Sequence, residues 1–351
     1  MQDFQLAVFR GMLDVLHGIG AHRWMGRATR GRGAIFMLHH VRPAKPDAFA
    51  PNRFLEVTPE FLDRVIHHVK EAGVDLVSLD EVHHRLVEPG CARPFAAFTL
   101  DDGYIDNAVY AAPVFRRHDC PYTIYVPSDF VGGNGVLWWL VLEEAVRRVD
   151  SLRVSLQGRP ETLETTTAAA KAEAFARIYA GLREGSDAAM QATIRSLAAQ
   201  AGFEPEAIGR SLCLDWDGLS ALAADPLVTI GSHTRSHRIL AKLDSETARA
   251  EILEGRAVLE ERLGRKVEHF AYPVGDHSSA GPRDFAMVRE LGFKTAVTTR
   301  RGVLHSQHAA HLEALPRVSL NGHFQADRYV GLFLSGVPFA LFNGFRKVDV
   351  R

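Results

Sequence analysis

Three scarcities narrow the field before any motif is read. Cysteine is scarce: Cys91, Cys120 and Cys213 are odd in number and lack the paired spacing of a zinc site. A disulfide framework is therefore not expected, and a reducing compartment is the simpler setting. Excess charge of one sign is also missing, with 41 basic against 42 acidic residues and a net charge of −1. That leaves no global field for a polyanion, so no nucleic-acid partner is expected. Long apolar runs are missing too. The most apolar stretch, residues 329–345, is about 17 residues long and is broken by Gly336 and Pro338, too short for a confident membrane span. The opening Met1-Gln2-Asp3-Phe4 has no basic n-region, and Arg10 and Asp14 interrupt the apolar residues after it. Export by a signal peptide is not expected, and a cytoplasmic location follows.

What is present is a large core. Apolar residues make up 46% of 351, a length that suits two average domains or one α/β barrel. Apolar runs alternate with amphipathic stretches. Residues 34–38 read as a first buried strand ending at His39-His40, and a Pro-rich loop spans 41–57. Thr58-Pro59-Glu60 opens a helix whose apolar face is Phe61, Val65, Ile66 and Val69, with Gly73 beyond its end. Residues 74–79 suit a short strand, and Asp80 is expected to cap the helix after it. Further strands are expected at 95–100, 122–126, 227–230, 267–272 and 295–298, with a closing strand from 315. The helices between them include one capped by Asp244 and ended by Gly264. This alternation predicts an α/β fold with a parallel sheet or barrel. The rhythm breaks over residues 137–213, rich in Ala and charge, which predict a mostly helical insertion bordering the site. Trp138-Trp139 at its start either anchor a helix to the core, the reading preferred here, or stack on a sugar ring.

The chemistry concentrates at strand ends. The run 95–100 stops at Asp101-Asp102-Gly103. Two adjacent carboxylates at the end of a buried strand are costly unless something positive offsets them, and a divalent metal is one such thing. Neighbouring residues of an extended chain point different ways, so one Asp can ligate while the other handles a proton. About 130 residues on, a second apolar strand stops at Ser232-His233-Thr234-Arg235-Ser236-His237. Its two histidines, four apart, would share a face on a helical turn. Two imidazoles and a carboxylate make a three-ligand site with positions left for water and substrate. His39, Asp101-Asp102, His233 and Pro273-Val274-Gly275 each follow a different strand, and in an α/β barrel such ends share one face.

The segments Leu100-Asp101-Asp102-Gly103, His233-Thr234-Arg235-Ser236-His237 and Phe270-Ala271-Tyr272-Pro273-Val274-Gly275 together resemble the three ordered motifs of the polysaccharide deacetylases, the NodB-homology carbohydrate esterases. The resemblance covers residues 34–320. It implies a distorted (β/α) barrel of about seven strands, with Asp101 as base, Asp102, His233 and His237 as metal ligands, and the Val274 N–H as oxyanion donor. Zinc is the default cation for that ligand set, although cobalt, nickel or iron would also suit it. The Arg that commonly opens the third motif is replaced by Ala271, and a late acid histidine is not evident among His305, His308 and His311. Met37-Leu38-His39-His40-Val41 resembles the early motif of the exopolysaccharide poly-N-acetylglucosamine deacetylases, which implies His39 as the acid. Leu315-Pro316-Arg317 resembles that subgroup too, and Arg317 is expected to stand in for the absent Arg and pair with Asp101.

The resemblance implies metal-dependent N-deacetylation of an N-acetylated sugar, in an exopolysaccharide or its lipid-linked precursor. A deformylase, another amide hydrolase of the same fold, and a non-catalytic glycan-binding module stay open as alternatives. The ends of the chain, residues 1–33 and 321–351, fall outside the barrel. Phe4, Val8, Met12, Val15 and Ile19 suggest an amphipathic helix, followed by Arg23, Arg27, Arg30 and Arg32. It either packs on the domain or lies on an anionic membrane surface, and the apolar 329–345 stretch carries the same two readings. Peripheral contact with a membrane or a lipid-linked glycan would follow from the second.

Overall fold

Seven short runs rich in apolar, β-branched and aromatic residues form the strands around which the chain is wound. They are β1 (Gly33–Leu38), β2 (Phe95–Asp101), β3 (Tyr122–Val126), β4 (Val228–Ser232), β5 (His269–Ala271), β6 (Thr295–Arg301) and β7 (Leu315–Ser319). The computed structural model describes residues 2–88, 90 and 93–350, with residues 2–5 described by backbone only. Cys91 and the Phe4 side chain thus lie outside the described residues. Each strand is parallel to the next in sequence, and β7 returns to β1 through Phe36↔Val318, closing a seven-stranded parallel barrel. A two-residue strand, Asp75–Leu76, pairs with the foot of β2 below β3.

Strand alternation decides what faces the interior. Ile35, Phe95, Ala97, Tyr125, Val297 and Leu315 share one cluster inside the barrel. Phe36, Leu38, Phe98, Leu100 and Ile124 join the outer cluster under the helices. Asp101 shares the parity of Ala97, and His39 shares that of Ile35. The register Met37↔Thr99 then sets His39 level with Asp101 at the top of the barrel. Most covering helices start where the sequence marks a start. Thr58 Oγ1 accepts from Phe61 N–H, and Pro59–Glu71 buries Phe61, Leu62, Val65, Ile66 and Val69, each worth roughly 1.5–3 kcal/mol. Asp244 caps Ser245–Leu263, which ends at left-handed Gly264.

Four expectations need correction. The helix Leu79–Val87 is capped by Ser78, whose hydroxyl accepts from Glu81 N–H, and not by Asp80 inside its first turn. The loop 41–57 contains a small parallel pairing of His40–Val41 with Glu56–Val57. The insertion carries helices Trp138–Arg148, Ala168–Glu184, Asp187–Gln200 and Glu206–Leu212, but also an antiparallel hairpin, Ser151–Leu156 with Arg159–Glu164. Its turn is Gln157-Gly158, both at positive φ, a primed turn made without the usual Asn or Asp. The helix Gln2–Gly18 packs through Leu13 and Leu16, with Leu6, Phe9 and Met12 against the same core. Val8, Val15 and Ile19 of the expected face are instead exposed. Both faces are apolar, and the bulkier one meets Phe324 and the helix Arg328–Ser335.

The apolar C-terminal stretch forms that helix and a second, Val337–Phe342, separated by Gly336 at φ 70°. A β-carbon on Gly336 would lie 2.3 Å from the Thr29 carbonyl, so the two ends of the chain meet here through a glycine. Among the described residues, no helix is long and apolar enough to cross a membrane.

Candidate metal centre and active-site cleft

Asp102 is the first residue beyond β2. Its φ of 75° swings the side chain off the strand's alternation and toward the loop after β4. There Asp102 Oδ1 lies 3.4 Å from His237 Nε2 and 3.7 Å from His233 Nε2. One ligand atom from each of the three buried residues falls within 4.8 Å of the others. His233 Nδ1 sits 2.7 Å from the Ala271 carbonyl, which must accept its N–H. The Nε2 lone pair is thereby left for the site, the usual way a neighbouring group orients a ligating imidazole. The histidines do not share a helical turn, as their spacing suggested. Residues 233–237 form a loop with Thr234 at φ 64° and His237 at φ 61°. Thr234 Oγ1 accepts from His237 N–H, and the buried Glu251 carboxylate accepts from the backbone and hydroxyl of Ser236. Gly255 lets the helix Ser245–Leu263 touch this loop: a β-carbon there would be 2.4 Å from the Thr234 carbonyl carbon.

These residues fit a divalent cation. Asp102 Oδ1 is buried without a hydrogen-bond partner. Burial, and then the charge of Asp101, push its carboxyl well above the ordinary range. Burial pushes both imidazoles down, His237 furthest, which keeps them unprotonated and able to donate lone pairs. Two neutral nitrogens facing a carboxylate with no counter-ion form a hole for positive charge.

Asp101 has its counter-ion already. Arg317, on β7 and 1% exposed, donates from Nη1 to Oδ1 at 2.8 Å and from Nη2 to Oδ2 at 2.7 Å. Its Nε–H is spent on the Thr298 carbonyl, and Nη1 also reaches Thr99 Oγ1. Burial alone would raise the Asp101 carboxyl, but the Arg317 guanidinium brings it down to about 2. Two adjacent carboxylates are thus driven apart, one ionised and locked, the other open. His39 Nε2 stands 3.9 Å from Asp101 Oδ2, and burial lowers this imidazole to about 4. His40 turns away: Nδ1 bonds Asp106 at 2.6 Å and the ring stacks on Tyr104 at 3.6 Å. Val274, at φ 61°, lines the cleft, and its N–H meets no acceptor among the described residues. Thr299 holds this turn from the far side, through its hydroxyl on the Val274 carbonyl and its N–H on the Gly275 carbonyl. His308 lies apart from the cleft and caps its own turn by accepting from His305 N–H.

The cleft over these groups is open to solvent and takes in about 850 Å³, part of it outside the protein wall. Trp138 and Trp139 anchor the insertion helix, the reading preferred from the sequence. They are buried in the core of the insertion and also wall the cleft, the Trp139 ring 4.8 Å from that of His237. Sequence reasoning missed the groups that tie the insertion to the loops around the cleft. Arg183 donates to Asp276 and Ser279 beside Val274, and Arg238 donates to Asp187 just past His237. Charged residues at such long separation carry no local signal. It also missed the Ala271 carbonyl, which no side-chain motif can reveal.

Comparison with other proteins agrees with this geometry. No protein of curated function matches the sequence. Among solved structures, the Streptococcus pyogenes deacetylase PplD, in a complex with acetate, superposes with a TM-score of 0.55 at 16% identity, over 82% of this chain and 92% of its own. IcaB from Ammonifex degensii gives the same score and identity over 87% and 97%. A de-N-acetylase from Aggregatibacter actinomycetemcomitans gives 0.53 at 10% identity over 86% and 99%. At these identities the likeness is one of fold. The sequence profile of the polysaccharide deacetylases matches residues 91–296, from β2 through the start of β6 and across Asp102, His233 and His237, and the chain belongs to that family.

Proposed function

We propose that this protein is a metal-dependent N-deacetylase that hydrolyses the acetamide of N-acetylated sugars in an exopolysaccharide or its lipid-linked precursor. Asp102, His233 and His237 would hold the cation, zinc by default for this donor set. The observation that carries the reading is the division of labour at the end of β2. Arg317 neutralises Asp101, while Asp102 faces two unprotonated imidazoles and no cation of the chain's own.

When bound, the cation supplies Lewis-acid polarisation of the amide and a more acidic water. The chain does the rest. Asp101 is ionised at neutral pH and takes the proton from the attacking water. Its low basicity makes this transfer uphill, and acidification of the water would reduce the gap. The Val274 N–H is unpaired in the cleft and supports the carbonyl oxygen as it gains charge. His39 delivers a proton to the departing amine, which leaves poorly as an anion. With its imidazole near 4, His39 rests neutral and must be charged during turnover. Asp101 Oδ2, 3.9 Å away, is the carboxylate oxygen that can hand the proton over, and such contacts tighten once substrate is bound. The aromatic wall of Phe54, Trp138 and Tyr179 and the polar rim of Asn52, Thr299 and Asn321 suit a sugar ring, which has apolar faces and hydroxyl edges.

The direct test is mass spectrometry of N-acetylglucosamine oligomers incubated with the protein, with and without chelator. Loss of acetyl groups that stops on chelation and returns with zinc is expected. Oligomers left intact by the metal-loaded protein would reject the substrate class, and release of formate from an N-formyl sugar in their place would turn the reading to deformylation.

A further inference from the structure

We propose that the foot of the barrel, the end opposite the cleft, docks on an anionic lipid bilayer. The inference is independent of the reaction assigned above. The chain has almost no net charge, yet residues 15–46 contain no Asp or Glu, and neither do residues 328–348. The fold brings these two acid-free segments together. Arg23, Arg27 and Arg30 border a cavity at the start of β1 and β2 whose floor includes Val74, Phe95 and Leu334. All three arginines are exposed, and none has an ion-pair or hydrogen-bond partner among the described residues. Phe345, Arg346 and Lys347 pack beside Ala28 and Thr29, which places them next to the arginines. Of the acids at the margin, Asp14 pairs with Arg328, Asp75 pairs with Arg85, and Glu71 lies 3.1 Å from His67.

The same end exposes large apolar side chains. Trp24 is 64% exposed, Ile19 59% and Phe345 60%. Trp24 is held outward, its indole N–H directed at the Ile19 carbonyl. Aromatic rings interleaved with unpaired cations, with no acid among them, match the headgroup zone of a bilayer. There the rings enter the acyl boundary and the guanidinium groups meet lipid phosphates. A protein partner would need carboxylates set among apolar contacts, and nothing at this end singles that arrangement out.

Docking this way sets the orientation of the enzyme. Strands of five to seven residues rise about 3.3 Å per residue, so the cleft would open roughly 20 Å above the headgroups. A sugar attached directly to a lipid would then fall short of the metal centre, whereas a glycan several sugars long would reach it.

Flotation of the whole chain with vesicles decides the matter. Binding is expected to phosphatidylcholine vesicles containing 30 mol% phosphatidylglycerol, with much weaker binding to phosphatidylcholine alone and release at 0.5 M salt. The triple variant R23S/R27S/R30S should partition about a hundredfold more weakly. A W24S/F345S variant should also weaken binding, and both should keep wild-type circular dichroism and wild-type activity on soluble oligomers. Failure of the wild type to float with acidic vesicles would overturn the proposal, as would a triple variant that floats equally well. A concentration-dependent dimer broken by W24S/F345S, with no flotation, would overturn it in favour of self-association.

Discussion

Replacing Arg317 by Met removes a buried charge while keeping much of the side-chain volume, and the consequences follow from one carboxylate. Arg317 reaches Asp101 through two hydrogen bonds of 2.7 and 2.8 Å. At an effective dielectric near 20, opposite charges about 4 Å apart attract by about 4 kcal/mol, equal to roughly three pH units of titration. Without the guanidinium only burial acts on Asp101, so its titration moves from about 2 to above its ordinary 3.8. The sign of the pH dependence of stability then reverses. In the wild type the folded-state value lies below the unfolded one. Asp101 therefore contributes stability above pH 4, about 2 kcal/mol, which is lost as pH falls toward 2. In Arg317→Met the folded value lies above the unfolded one, so the same carboxyl costs stability at neutral pH and the cost disappears on acidification. Breaking a buried pair on one side costs about 3–5 kcal/mol, so thermal melts from pH 7 to pH 4 should start far lower for the variant and converge on the wild type. The acid limb of kcat/KM should climb by roughly three pH units. Arg317→Lys keeps the charge and loses the two-pronged geometry. It should hold the acid limb low while turnover falls, and this second variant covers the case in which the Met variant does not fold. A folded Arg317→Met protein whose melts and acid limb both follow the wild type would refute the assignment of Asp101 as the governing base.

His39→Ala should retain its metal by elemental analysis and lose about 10²–10⁴ in turnover; full activity would remove the acid assignment. His233→Ala should lose both metal and activity, and a wild-type metal content would break the ligand set. Asp102→Asn removes a buried carboxyl whose Oδ1 has no hydrogen-bond partner. The metal-free variant should melt higher than metal-free wild type at pH 7, by the equivalent of roughly 1–3 kcal/mol, and added zinc should no longer raise its Tm. Gly255→Ala would place a methyl 2.4 Å from the Thr234 carbonyl carbon. It should destabilise by about 1–3 kcal/mol and weaken zinc uptake in competition with a chromophoric chelator, by moving the histidine loop.

The strands were legible because they are short, apolar and ended by polar clusters; the βα rhythm left a parallel sheet or a barrel, and the resemblance pointed to the barrel. The grouping of Asp102, His233 and His237 was legible because each follows a strand end. The local shape that achieves it was not. A spacing of four residues suggested one helical face for His233 and His237, whereas two positive-φ residues fold that segment into a loop. Periodicity registers polarity and is blind to the backbone strain that a buried Glu251 and a methyl-free Gly255 sustain from another helix. The N-terminal helix shows a related limit. With apolar residues on both faces, its sequence does not say which face packs, and the choice fell to the shape of Phe324 and the C-terminal helix. The hairpin at Gln157-Gly158 was hidden because Gln is an uncommon first residue for that turn.

The position of the insertion bears on how the metal loop survives. Asp102, Thr234, His237 and Val274 all hold positive φ, a conformation that costs a side-chain-bearing residue of order 1–3 kcal/mol and persists only where the surroundings over-determine it. Thr299 braces the Val274 turn from within the barrel, and Glu251 and Gly255 brace the loop 233–237 from a covering helix. The bracing of Asp102 comes largely from the insertion. The chain leaving it pairs Cys213 with Tyr104 in a β-bridge, and Leu214 N–H bonds the carbonyl of Gly103, the next left-handed residue. Arg183 and Asp187 of the insertion also grip the segments beside Val274 and His237. Each strained turn around the cleft is therefore held by an element that contributes none of Asp102, His233 and His237. A barrel shortened by removing residues 138–214 would keep all its strands, yet the strain at Asp102 would relax toward the ordinary strand conformation. By the alternation that points Asp101 inward, Asp102 would then face outward, away from the two histidines.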